Sequence, residues 1–212
     1  ALRGGGFVAQ GVQTGQQATF GTRPTIVNSN AVDTIVVADN TSVRGLDVVG
    51  GRVGISSDPT GGGNNLNNFN DLNNSTITAN SVTSVLGAGI AVRDVNSGSI
   101  VSHNTANGNA GYGLAFRNIN SGGTVTGNTA NSNGLDGFLL IGNVNAGGTF
   151  TNNTANANGG DGFDFQMNTG TFSDNTANNN TGMGFNSNGN ANAGTANNNT
   201  GVGNMGGGNT FP

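Results

Sequence analysis

The sequence predicts an all-β protein, a single parallel β-helix whose coils run about 19–27 residues. Three observations predict it. A T-A-N triplet recurs, each coil repeats two short apolar segments in register, and the composition holds almost no material for solvated helices. Among 212 residues there are 40 Gly and 40 Asn, with no Lys, Glu, Cys or Trp. Lys and Glu are good helix formers, whereas Gly and Asn favour turns and left-handed backbone. High polarity with charged residues at only 8% would suit disorder, but disorder gives no reason for spaced apolar pairs.

Aligned on the triplet, Thr78, Thr105, Thr129, Thr154, Thr176 and Thr195 follow one another at steps of 27, 24, 25, 22 and 19 residues. Such periods mark stacked supersecondary units. The framework of a leucine-rich repeat is absent, which leaves the parallel β-helix.

Taken along the chain, residues 1–22 have no place in the repeat, although Phe7, Val8 and Val12 are strand-like. Residues 23–200 form the β-helix. Its first apolar strands are Thr25-Ile26-Val27, Thr34-Ile35-Val36-Val37 and Ser42 to Val49, separated by Asn/Asp turns. Residues 58–74 (DPTGGGNNLNNFNDLNN) read as a long inserted loop, composed like a flexible excursion.

In the later coils the first apolar segment is Thr76-Ile77-Thr78, Thr124-Val125-Thr126, Thr149-Phe150-Thr151 and Thr171-Phe172-Ser173. The second places Ile90/Val92, Leu114/Phe116, Phe138/Leu140 and Phe163/Phe165 inside by alternation. A third inward column is expected at Val95, Ile119, Val144 and Met167. The Asn of N-T-A-N is expected at the bend in left-handed geometry, hydrogen-bonding up the stack as a ladder. Residues 201–212 form a Gly-rich tail with little apolar cover.

The run RPTIVNSNAVDTIVVADNTSVRGLDVVGGRVGI, Arg23 to Ile55, resembles the opening coils of pectin-lyase-like right-handed β-helix proteins. The N-T-A-N coils resemble the repeats of bacterial surface and autotransporter-type β-helices. Gly147 to Asn153 is faintly similar to the repeats of chlamydial polymorphic outer-membrane proteins. The resemblance implies right-handedness and a pectin-lyase-like fold; it is specific for fold and poor for function.

Charge narrows the partners. A formal net charge of −4 and a pI near 4.4 argue against nucleic acid. No apolar run reaches the ~20 residues of a membrane helix. Ala1 is readable as a mature terminus left by signal-peptide removal, and an extracellular or cell-surface location is expected.

Catalytic constellations are sparse. His103 is the one histidine, with no Asp or Ser partner arranged by sequence. A polysaccharide lyase would bring clustered Asp and an Arg or Lys base. Lys is absent, and only Arg93 and Arg117, on adjacent coils, suggest a ladder for an acidic sugar. Asp136 and Asp161 hold one position on consecutive coils, where like charges repel unless protonated or bridged by a cation. With Asp164 they make a calcium-site candidate; Gly159 to Asp164 matches the start of a GGxGxD repeat but is not repeated. The outward Thr pairs resemble an ice-binding array that Ser99-Ile100-Val101 interrupts. Leu139 and Ile141, outward-facing and aliphatic, suggest a lateral contact.

Open β-helix ends suggest head-to-tail association, with the N-terminal segment covering the next subunit's last coil. The reading from sequence is therefore a non-catalytic structural subunit of a surface fibre, self-associating and in possible contact with a surface polysaccharide, with no cofactor beyond the Ca2+ candidate. The alternative is a carbohydrate-binding or carbohydrate-degrading, lyase-like β-helix, with ice binding a more distant one.

Overall fold

The computed structural model describes residues 23, 25–59, 65–188, 193–208 and 210–211. The chain winds as a parallel β-solenoid of about seven turns, each turn contributing short strands to three sheets. The T-A-N sheet stacks Thr25–Asn28, Asp47–Gly50, Ser81–Thr83, Thr105–Asn107, Thr129–Asn131, Thr154–Asn156, Thr176–Asn178 and Asn199–Val202, closed by antiparallel Thr210–Phe211. A second sheet, called the longer-stranded sheet for its two six-residue strands Ile90–Val95 and Leu114–Ile119, stacks these with Ile35–Val36 and Ile55–Ser56 before them and Phe138–Leu140, Phe163–Asp164 and Phe185–Asn186 after them. The third, the threonine sheet, stacks Ser42–Arg44, Thr76–Thr78, Ile100–Ser102, Thr124–Thr126, Thr149–Thr151 and Thr171–Ser173.

The register corrects the triplet alignment at both ends. Thr105 pairs with Ser81, so Thr78 belongs to the threonine sheet, opposite Ser102. Thr176 pairs with Thr200, whereas Thr195 bridges to Thr171. The coils therefore do not shorten toward the C-terminus: rungs from Ser81 to Thr200 are 24, 24, 25, 22 and 24 residues apart. The third inward column also ends differently, because Val144 pairs with Asn168 and Met167 with Asn143. Asn168 is fully buried and turns its amide to the Thr195 carbonyl at 3.0 Å.

One side chain per strand centre fills the core. Val48, Val82, Ala106, Ala130, Ala155 and Ala177 line the T-A-N sheet, where the small residues leave room for the large ones opposite. On the other two sheets the core changes from aliphatic to aromatic along the axis. Phe138, Phe163 and Phe185 stack at 4.9 and 5.1 Å, and Phe150 stacks on Phe172 at 5.1 Å. The two columns meet edge to face, as ring quadrupoles prefer.

Two buried asparagine ladders run up the corners. Asn80, Asn104, Asn128, Asn153, Asn175 and Asn199 form one, Asn109, Asn133, Asn158, Asn180 and Asn204 the other. In the rungs up to Asn175 and Asn180, Nδ2 donates to the next Asn Oδ1 and to a carbonyl of the preceding coil. Thus Asn128 reaches Asn153 Oδ1 and the Val101 carbonyl, both at 3.0 Å. Its Oδ1 accepts the backbone N–H of Asn104. Left-handed backbone is carried by the residue before each ladder Asn, not by the Asn itself: His103, Gly127, Asn152 and Asp174 on one corner, Ser132, Ala157 and Asn179 on the other. That kink frees the ladder side chain to point inward. His103 is an exposed corner residue.

The inserted loop is partly built into the fold. Asn65 caps a 3-10 turn, Leu66–Asn68, by accepting the Asn67 N–H. Leu66 and Phe69 are buried against Val53, Ala88, Ala91 and Ala115 on the outside of the longer sheet.

Candidate functional site

Strand alternation sorts the outer face of the longer-stranded sheet into columns, and most candidate residues fall in them. One column runs Ala88, Tyr112, Asp136, Asp161, Met183. Gly89 N donates to Tyr112 O at 3.0 Å, Gly113 N to Asp136 O at 3.1 Å, and Gly137 N to Asp161 O at 2.9 Å. The next holds Ala91, Ala115, Leu139, Asp164 and Asn186, paired in register. The third begins with Arg93 and Arg117, with Ile141 beside Arg117 one coil on. Residues read from sequence as a metal pair, a basic ladder and a lateral contact thus share one surface.

Leu139 and Ile141 are half-buried rather than bare. With Tyr112 they pack at the margin of the small outer core that Leu66 and Phe69 make with the alanines. The sequence reading missed Tyr112, although GYGL, LDGF and GDGF place it at the position of Asp136 and Asp161.

Each aspartate ties one oxygen to the following coil. Asp136 Oδ1 accepts the Asp161 N–H at 2.7 Å, and Asp161 Oδ1 accepts the Met183 N–H at 2.6 Å. Asp161 Oδ2 further accepts from Asn186 Nδ2 at 2.7 Å, and Asp164 Oδ1 accepts from Asn188 Nδ2 at 2.8 Å. Amide donors thus stand where a cation was expected. Among the described residues no group of three or more His, Asp, Cys or Glu side chains gathers as a metal-holding set, and this donor set does not fit calcium, which needs about six to eight oxygens.

Burial pushes the Asp136 carboxyl up to about 6, and the charges of Asp161 and Asp164 add to it against the lowering hydrogen bond from Asp161 N–H. Burial also raises Asp164, with the Asp161 charge adding and the Asn188 hydrogen bond opposing. Tyr112 is raised by burial and then by Asp136 and Asp164. A carboxyl that gives up its proton only at about pH 6, beside other acids, is the kind of pairing that proton-transfer chemistry uses.

At the corner next to the inserted loop, Ala38, Asp39, Asn70, Asp71, Asn73 and Arg93 line an open cleft of about 540 Å3. Arg93 Nε faces Asp71 Oδ1 at 3.3 Å, and Asp39 Oδ1 accepts from both Asn73 N and Nδ2. Deeper, Arg52 Nη2 reaches Asp33 Oδ1 at 2.5 Å and Asp58 Oδ2 at 3.2 Å, so the first residue of the insertion is pinned to the preceding coil. Burial raises Asp33, while a Ser56 hydrogen bond and the Arg52 charge lower it. Phe7, Val8 and Val12 lie outside the described residues.

The threonine sheet presents Thr76, Ile100, Thr124, Thr149 and Thr171 outward, with Thr78, Ser102, Thr126, Thr151 and Ser173 beside them. Its interrupted rung is Ile100–Ser102, so Ser102 continues the hydroxyl column and Ile100 alone breaks the other.

A solenoid with one chemically mixed outer panel defines the class: a parallel β-helix that presents side chains on a flat sheet. The sequence matches the family described as "Right handed beta helix region" over residues 27–200, and the chain belongs to that family. A solved structure with the same fold is the periplasmic alginate epimerase AlgG, 21% identical with a TM-score of 0.51. The alignment covers 68% of this chain and 32% of the epimerase, so the match spans about a third of that chain. No curated protein matches the sequence. The expectation of a non-catalytic protein is corrected here: the same solenoid carries an epimerase, so neither the fold nor the lack of a histidine-centred triad is ground for excluding an enzyme.

Proposed function

We propose that the chain is a carbohydrate-acting β-helix that holds a polysaccharide along the outer panel of its longer-stranded sheet. The observation that carries this reading is the convergence of Tyr112, Asp136, Asp164, Leu139, Ile141 and Arg117 on one face. Sugars are bound by such mixtures, in which an aromatic or aliphatic surface takes the ring face and carboxylates and guanidinium take the hydroxyls. Successive rungs about 4.8 Å apart repeat on nearly the length of one sugar unit. Asp136, between Tyr112 and Asp161 in the central column and half-protonated at about pH 6, is the candidate proton donor of this face. Asp164 is its acidic partner. Similarity to a periplasmic alginate epimerase supports a polysaccharide substrate and an exported protein; among the described residues, no helix is long and apolar enough to cross a membrane.

The test is affinity electrophoresis and calorimetry against alginate, chitosan and a soluble β-glucan, with products followed by NMR. At least one polymer should retard the wild-type protein, and Tyr112→Ala and Asp136→Asn should weaken that retardation. Absence of retardation by all three, or variants that bind as well as wild type, would sink the reading.

A second reading, self-association, rests on apolar side chains exposed on the last described coils. Val202 is 71% and Met205 80% exposed there, close to the half-exposed Met183. Light scattering across a concentration series tests it: a mass that stays at one chain counts against it.

A further inference from the structure

We infer that the turn formed by residues 65–70 is an end-stop, which makes the outer panel select the end of a polysaccharide chain over its interior. The inference rests on the proposed carbohydrate face. The panel has two unlike halves. Toward the N-terminus its rungs carry Val53, Ala88, Ala91 and Ala115, and Leu66 and Phe69 bury themselves on these small side chains. Asn65, Asn67, Asn68 and Asn70 remain exposed on the outer side of that turn. Backbone lying on a sheet stands above it by roughly the width of a strand, so the turn is a step across the columns.

Beyond the step the panel is open. Tyr112 stands at the foot of the step on the Ala115 rung, and beyond it Asp136 with Leu139, Asp161 with Asp164, and Met183 with Asn186 give three open rungs, about 10–15 Å at the spacing of stacked strands. A polysaccharide lying along the axis fills these rungs and then meets the turn.

The step is held from several sides. Ser57 Oγ donates to the Asn70 carbonyl at 2.6 Å, and Asn70 N donates back to the Ser57 carbonyl at 2.9 Å. Arg93 is paired with Asp71 immediately after the turn, and Leu72 pairs with Val95 as part of the sheet. A turn needed only to pass from one coil to the next has no use for two buried apolar anchors and a reciprocal pair of hydrogen bonds to the preceding strand. Small Ala91 and Ala115 beneath it are what allow it to sit low and tight, and in their own column larger outward residues begin at Leu139, on the first rung it leaves uncovered.

The experiment uses alginate, chitosan and β-glucan, each intact, cut into short fragments of the same total mass, and, for the glucan, as a cyclic oligomer without ends. For the polymer that binds, bound protein per unit mass should rise in proportion to the ends created, at unchanged Kd as long as the fragments exceed the length of the open rungs. Affinity should grow with fragment length to about three units and then level off, and the cyclic form should show no measurable binding. Binding capacity that follows polymer mass regardless of ends, or a cyclic glucan bound as well as its linear counterpart, would overturn the end-stop while leaving the carbohydrate face standing. Absence of binding to all three polymers overturns both. In Phe69→Ser, checked for a retained β-sheet spectrum, capacity should become independent of ends; the wild-type titration decides the matter should that variant not fold.

Discussion

Asparagine at a ladder position is chosen for having both a donor and an acceptor on one short side chain. Asn128 satisfies a backbone N–H, a backbone carbonyl and the next Asn at once, which neither Asp nor Leu can do in a buried site. Asp136 occupies a comparable position on the outer face but can only accept when ionised, and its burial works against that charge. The consequence for pH follows from the direction of the shift. Its folded-state affinity is raised from 3.8 to about 6, so its contribution to stability is full below about pH 4 and is lost as pH rises through about 6. Asp33 and Asp164 are raised in the same direction. The unfolding midpoint is therefore expected to rise when the pH is lowered from 7 to about 5. In Asp136→Asn this slope should shrink, by about 1–2 kcal/mol after allowance for partial solvent screening. Thermal unfolding followed by circular dichroism across that range checks it; a wild-type midpoint that falls steadily below pH 7 is the contrary result.

At the scale of the element, each coil is a strand, a kinked corner and a strand, and the corner sets the limits. Gly137 enters its strand against the Ala155 methyl, the Asn158 amide and the Gly162 carbonyl; a Cβ there would stand 2.6–2.8 Å from all three. Gly137→Ala should cost about 2–4 kcal/mol, an overpacking cost at a site with no room to relax, read as a lower denaturation midpoint. The same substitution at Gly108, where nothing lies within 4 Å but φ is +63°, should cost about 1 kcal/mol, from backbone strain alone. Interior coils were legible in the sequence because G-Φ, Thr-Φ-Thr and T-A-N recur there at near-constant spacing. The ends were not. At Thr78 the letters T-A-N occur three residues early, and only the pairing of Ser81 with Thr105 gives the true rung. Met167 looked like the better core residue than Asn168, but a corner that needs an amide for the Thr195 carbonyl takes the polar one. The panel was legible only in pieces. Asp136, Asp161, Arg93 and Arg117 stood out as charges, whereas Tyr112 and the cover by Leu66 and Phe69 depend on a loop whose composition reads as flexible.

For the molecule as a whole, a solenoid distributes its stability as a sum over neighbouring coils. Here that sum is uneven. The coils from Thr129 to Phe185 hold the stacked phenylalanines, both asparagine ladders and the uncovered half of the panel, whereas the first two coils carry Val, Ile and Leu with a buried Arg52–Asp33–Asp58 cluster and neither ladder. The aromatic segment thus supplies the rigid backing on which Asp136, Asp161 and Asp164 keep their register, and any ligand bound across them is held by several coils at once. Phe150 is its centre, fully buried, stacked on Phe172 and edge-on to Phe138 and Phe163. Phe150→Ala should cost about 3–5 kcal/mol. Because each coil contacts only its neighbours, the loss of amide protection in hydrogen exchange should be greatest from about Val125 to Phe172 and weaker around Val48 and Val82. An even loss over every coil would instead mean that the solenoid opens only as one cooperative unit, and that the panel shares its stability with the distant first coils.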